Sequence, residues 1–338
     1  MTEVLAVPSH EPRRALQPWV PLLGVVLLAS IGFALLSNQF LTAFNVYVIL
    51  SSATLLALIG FSQMTVLGVG DFSLAVGSIG GLVGVATGYM LVTRGVPLAP
   101  ALVAGLVLGT LCGALNGILV VASGVGGFVI TLGTGGAYAG IALAVTQTVP
   151  YTGLPPLLNS FGTGRLGPIP YVIVVGLVAA AALGIMYTWR RTGRMMLAVG
   201  GNPEAAELSG LSRGRAVIWA HSLSGLLAGS AGVVAMAQLH EGNPSAGTGW
   251  LIQSFTIPII GGTLLTGGEV SVVGILVASL ILATISDGLI LINVDPIWVT
   301  LIQGVLIFLT VLLGRSQAGA VRRLLGTLRR RDPMGSRP

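Results

Sequence analysis

The 338-residue sequence contains no lysine; its sixteen basic residues are all arginine. A phosphate-cradling loop of the form GxxxxGK[ST] needs a lysine amine on the nucleotide phosphates, so the chain has no ATP site of that kind. Charge of either sign is scarce, 8% of residues against 54% hydrophobic. A soluble globular chain is about 25% charged, and so few charges do not cover a water-facing surface around that much apolar mass. With a mean hydropathy of +0.95, the composition excludes a soluble enzyme and places the chain in a bilayer. Aromatic residues are 6% while glycine contributes 50 positions, which favours closely packed transmembrane helices over a barrel with aromatic girdles. The single cysteine, Cys112, forms no intrachain disulfide, and three histidines without a Cys/His cluster offer no metal site. Nothing in the chain suggests a bound cofactor or a nucleic-acid partner.

What is abundant is apolar runs of roughly twenty residues, long enough to cross the hydrocarbon core. Ten are read, near 18–37, 43–67, 74–93, 98–121, 127–147, 169–188, 216–238, 250–267, 272–291 and 296–314. The expected fold is therefore an all-α integral membrane protein of about ten transmembrane helices. Gly60, Gly68, Gly70 and Gly77 interrupt the stretch 43–93, where discontinuous helices are expected. With ten spans, fourteen arginines collect on the side of both termini and only Arg94 and Arg165 lie opposite. The positive-inside rule makes both termini cytoplasmic. Residues 1–17 are then a cytoplasmic segment, 18–314 the transmembrane domain with a cytoplasmic loop at 189–215, and 315–338 a basic tail suited to anionic headgroups. Trp19, Trp189, Trp219, Trp250 and Trp298 all fall at proposed span ends, where an amphipathic indole sits at the interface.

Glycines within the spans are regularly spaced. Gly105, Gly109, Gly113 and Gly117 recur every fourth residue, as do Gly80, Gly84 and Gly88, rows that let a neighbouring backbone approach closely. A weak internal echo joins the halves: Gly70-Asp71-Phe72-Ser73 and Gly268-Glu269-Val270-Ser271 each precede a span by the same pattern. Asp71, Ser73, Glu269 and Ser271 read as helix caps, with a gating role as the alternative.

The loop 189–215 holds a short helix in standard punctuation. Asn202 is an N-cap, Pro203 suits the first helical position, Glu204 and Glu207 sit near the positive end, and Gly210 stops it. Two turns are marginal alone in water and need a surface to pack on, either a partner's groove or the chain's own membrane domain.

The segment Glu204-Ala205-Ala206-Glu207-Leu208-Ser209-Gly210 resembles the EAAxxxG coupling-helix motif of permease subunits in bacterial ABC importers. The wider chain, from about residue 40 to 314, resembles the ribose/xylose/arabinose/galactose permease branch. The resemblance is carried by Leu74-Ala75-Val76-Gly77-Ser78, Asn116-Gly117, Phe128 to Gly133, Gly140-Ile141-Ala142, the coupling segment, and Asp287-Gly288-Leu289 with Gly304. Three positions depart from it: Ser73 stands where the family has an acid, Ala75 where it has serine, and Asp287 where asparagine is frequent. The resemblance implies a permease in the bacterial inner membrane, with ATP and Mg on a separate cytoplasmic ATPase subunit. It also implies an extracytoplasmic solute-binding protein and a second permease subunit, identical or related. The outer segment from Thr148 to Pro168, with Tyr151, Asn159 and Arg165, is the platform such a binding protein would meet. Sugar hydroxyls need neutral donors and acceptors, and Asn45, Gln63, Asn116, Thr131, Thr134, Gln253 and Ser254 are the path candidates.

Other readings stay open at this stage. A branched-chain amino-acid or nucleoside permease would share the architecture. An ion-coupled secondary transporter would call for acids deep within spans, which are nearly absent. An intramembrane serine hydrolase is suggested only by His221 near Ser222, Ser224 and Ser230.

Overall fold

The computed structural model describes residues 19–295 together with Trp298, Leu301, Gly304 and Val305. The described chain is helical apart from one two-stranded hairpin and an isolated bridge. The order is α1 (Trp19–Leu36), α2 (Ala43–Leu67), α3 (Val76–Val92), α4 (Leu98–Ser123), α5 (Gly127–Thr146) and α6 (Pro156–Thr163). Then come β1 (Arg165–Leu166), β2 (Ile169–Pro170), α7 (Ile173–Trp189), α8 (Arg191–Gly201), α9 (Pro203–Leu208), α10 (Arg213–Leu239), α11 (Trp250–Ile260) and α12 (Val272–Leu291). Six of these, α1, α2, α4, α5, α10 and α12, are long and apolar enough to cross a bilayer. A seventh crossing follows if α7 and α8, bent by 72° at Arg190, are counted as one broken span.

Differences from the sequence reading have local causes. Helix α2 runs unbroken through Gly60, whose missing side chain admits Ile257 and Ile275 instead of bending the helix. The expected discontinuity falls after it, at residues 68–75. The run 250–267 is helical only to Ile260: Pro258 lies inside α11, and the chain then turns through Gly262, Gly267 and Gly268, all at positive φ. Such backbone favours glycine, so apolarity there reflects a packed turn and not a continuing helix. Helix α3, with 17 residues, is likewise shorter than its run. The run 296–314 lies outside the described residues apart from four positions. Trp250, expected at an interface, is only 5% exposed and packs its ring on Gly80 of α3.

Helix α10 is the central post. It packs on α2, α3 and α4, and its own row of small residues meets theirs. Gly109 and Gly113 of α4 lie against Gly225 and His221 of α10, Gly117 against Ile218, and Gly84 of α3 against Gly232. Gly105 instead meets Thr87 of α3, and Gly88 meets Tyr151 and Gly242. Without side chains between them the backbones reach van der Waals contact, the main source of association where lipid tails are as apolar as leucine. The apolar core formed around this post includes Leu58, Phe61, Met64, Val83, Met196 and Ile257.

Candidate functional site

At the end of the bundle where α8 and α9 lie, the capped short helix has the construction its sequence suggests. Asn202 Oδ1 accepts from the Ala205 amide at 3.0 Å, and Pro203 opens α9. The helix closes through Ser209 N to Ala205 O, and Gly210 turns at φ +78 with Leu211 N reaching back to Ala206 O. Helix α9 sits on the chain's own surface by one residue, Ala206, which is buried, with Leu211 against the core behind it. Glu204, Ala205, Glu207 and Leu208 face outward. Leu208 is 91% exposed, an apolar knob with nothing over it among the described residues.

Below α9, helix α8 meets the two echo segments. Gly200 lies against Gly68 and Gly268, and Gly267 lies against Gly70. The Gly268 amide donates to the Gly68 carbonyl at 3.1 Å. Five glycines from three distant stretches therefore form a backbone-to-backbone junction with no room for a Cβ at Gly200, Gly267 and Gly268. A displacement of α8 and α9 is transmitted to both loops without compressible side chains between.

The two echo segments then diverge. Ser271 caps α12, accepting from the Gly274 amide at 3.0 Å, and Glu269 is exposed beside it. Ser73 is buried, and α3, with Ala75 at its N-cap position, has no side-chain cap. Asp71 does not turn to α3. Its carboxylate accepts from the amides of Phe72 and of Gly127, the first residue of α5, each at 2.9 Å, and pairs with His221 Nε2 of α10 at 3.0 Å. Burial alone would push this carboxyl up, but the His221 hydrogen bond and charge, with the two amides, hold it below the usual carboxylate value. Asp71 thus ties the 68–75 loop, α5 and α10 together. Asp71, Phe72, Phe128, Glu207, Arg213 and Val217 line a cleft of about 500 Å³ between this tie and α9.

The path candidates fall into three groups. Thr131 accepts from the Leu74 amide at 2.8 Å and donates to Gly127 O. Thr134 and Ser254 donate to their own helix carbonyls, Ile130 O and Leu251 O. Asn116 Oδ1 accepts from Tyr138 Oη at 3.0 Å while its amide nitrogen is buried without a partner. Gln63 is wholly buried with neither amide atom paired. Asn45 and Gln253 lie at the end opposite α8 and α9. Gln253 lines an open cleft there, and Asn45, whose Nδ2 donates to Phe40 O, faces the carboxylate of Asp287. Asp287 is the residue that sequence reasoning placed near the outer end of its span without assigning it a role. Its signal was a lone acid in an apolar run, which sequence spacing does not connect to α2, α10 and α11.

The same end carries the 148–168 platform. Tyr151 pairs with Gly242 in a short antiparallel bridge, and the α6 helix is followed by the β1–β2 hairpin, Arg165 opposite Pro170. Arg165 stacks over Phe44 and Tyr47 at 5.3 and 5.4 Å, and Asn159 donates to Leu154 O. Among the described residues no three His, Cys, Asp or Glu side chains converge on a metal position. The serines near His221 are engaged elsewhere: Ser222 and Ser230 with their own helix, and Ser224 with Ser62. No hydroxyl is set up as a nucleophile on His221, so the hydrolase reading has no support.

A multi-pass helical membrane protein with a protruding capped helix at one end and a polar cleft at the other has the architecture of a transport permease. Residues 36–311 match the profile of the family described as "Branched-chain amino acid transport system / permease component", and the chain belongs to that family. It is 32% identical to the D-allose transport system permease protein of Escherichia coli K12, over 86% of this chain and 89% of that one. It is 31% identical to a ribose import permease protein of Bacillus subtilis, over 88% and 92%. It is 33% identical to a fructose import permease protein of Rhizobium meliloti, over 86% and 83%. No solved structure matches the chain.

Proposed function

We propose that this chain is the permease subunit of a binding-protein-dependent ABC importer that carries a monosaccharide across the bacterial inner membrane. The observation that carries the mechanism is the outward face of α9, with Leu208 uncovered above the glycine junction. Two turns of helix with an apolar knob between two carboxylates, Glu204 and Glu207, suit a groove on a cytoplasmic ATPase subunit. The ATP and Mg would be held by that subunit. Its closure would push α9 and α8 as a unit, and the junction would pass the push to the loops before α3 and α12. The tie from Asp71 to Gly127 and His221 would carry it on to α5 and α10.

In this reading the chain has about ten spans and cytoplasmic termini, as the arginine distribution favours. The cleft at Asp287 and the 148–168 platform would then face outward, where an extracytoplasmic binding protein delivers solute. A second permease subunit would complete the path. The monosaccharide assignment rests on the sugars named for the relatives; nothing in the comparisons favours an amino acid, a nucleoside or an ion-coupled carrier.

The test is uptake by proteoliposomes holding the permease, its ATPase and its binding protein, with D-ribose, D-allose, D-fructose and L-arabinose each supplied in turn. ATP-dependent accumulation of at least one supports the proposal. Accumulation that persists without the ATPase and collapses with an ion gradient refutes it.

A further inference from the structure

The cleft at the end opposite α8 and α9 has a volume of about 420 Å³, within the roughly 300–1,000 Å³ of small-ligand sites. Its walls come from the first turns of α2, the last of α10, the start of α11 and the outer part of α12. Polar groups converge on it from all four. Ser52 is exposed to it from α2. Gln238 has its amide donors on Ser51, at 3.2 Å to Oγ, which leaves its carbonyl oxygen as an acceptor. Gln253 makes no hydrogen bond to any described residue and offers both amide functions. Asp287 faces Asn45 with one side of its carboxylate, and its Oδ2 is shielded by protein without a hydrogen-bond partner. Trp250 forms the apolar wall.

We propose that this cleft is a transit site for a neutral polyhydroxylated solute, with Asp287 as the acceptor that anchors its hydroxyls and Gln253 and Gln238 as their neutral partners. A carboxylate takes two hydroxyl protons at once, and charged acceptors make the stronger hydrogen bonds. Asp287 lines the cleft, and a solute hydroxyl that donates to its carboxylate gains more than one that donates to an amide. The lining has no arginine or histidine among the described residues, so the carboxylate of an amino acid would meet Asp287 with no cation to offset it. The cleft thus selects hydroxyl over acid. This inference rests on the sugar-permease reading above and adds where in this chain the sugar sits.

The experiment uses the full-length permease in nanodiscs with Cys112→Ala and Ser52→Cys, a position exposed to the cleft and not among the proposed anchors. Tyr138 donates to the backbone carbonyl of Cys112, a bond that the alanine keeps. The rate at which a methanethiosulfonate reagent labels residue 52 is measured against rising D-ribose, D-allose, D-fructose or L-arabinose. At least one sugar is expected to slow labelling about fivefold or more. Adding Asp287→Asn should raise the concentration for half-protection about tenfold or more, the loss of one charge-assisted hydrogen bond. Asp287→Ser, which withdraws the acceptor, should do the same and serves if the asparagine variant does not insert. Labelling that no sugar slows, while complete wild-type transporter accumulates one of them, overturns the site and leaves the function standing. Equal protection with and without Asp287 removes that residue's role. If complete wild-type transporter accumulates none of the four, the function itself has failed.

Discussion

Replacing Gly113 by alanine puts the glycine packing to a quantitative test. A Cβ there would overlap the carbonyl oxygen of His221 and lie 2.9 Å from its carbonyl carbon and 3.0 Å from Cα of Gly225. All three are backbone atoms of α10, so no rotamer relieves the overlap, and the two helices must separate. Overpacking of this kind costs about 1–3 kcal/mol, against a gain of about 1 kcal/mol from exchanging glycine for alanine in a helix. The net effect is destabilising. The control is Gly133→Ala in α5, where an added Cβ meets nothing within 4 Å and only the propensity gain of about 1 kcal/mol remains. The chain's single thiol, the buried Cys112 beside Gly113, reports unfolding directly through a thiol-reactive dye during heating. The Gly113 variant should expose it at a lower temperature than wild type and the Gly133 variant at an equal or higher one. A Gly113→Ala protein as stable as wild type, or a Gly133→Ala protein less stable, would refute the argument that backbone contact holds α4 on α10.

Four further outcomes follow from the α8–α9 end. His221→Ala should cost about 2–3 kcal/mol, the range for removing the partner of a hydrogen-bonded charged group, read by the same thiol assay. Because Asp71 is held below its ordinary value of 3.8, its stabilisation is complete above that pH and is lost as pH falls through the lowered native value. The stability gap between wild type and Asp71→Asn should therefore narrow on acidification below 3.8, and a gap that widens would contradict the tie. Gly210→Ala forces φ +78 on a residue with a Cβ at about 1–2 kcal/mol; in the complete transporter, ATP hydrolysis should continue while uptake falls. Leu208→Asp, at a position 91% exposed, should leave thermal unfolding unchanged and weaken capture of the ATPase about tenfold or more. Undiminished capture would mean that α9 is not the docking element.

The amino-acid sequence alone determined that this is a helical membrane protein. It also placed most helices, because a twenty-residue apolar run satisfies its backbone internally wherever it sits. Helices α2 and α12 occupy the ranges read for them, and the Asn202-to-Gly210 helix was legible because capping is decided within a few residues. What only the tertiary structure decided are relations between distant residues. Gly200, Gly68 and Gly268 come together from three parts of the chain, Asp71 reaches across to Gly127 and His221 instead of capping its own helix, and Asp287 faces Asn45 and shares a cleft with Gln253. The echo between residues 70–73 and 268–271 suggested equal roles, yet Ser271 caps α12 while Ser73 is buried without capping α3. Capping needs only a helix's own free amides. Which helix a buried carboxylate serves depends on what packs over it, and packing is not written in local order.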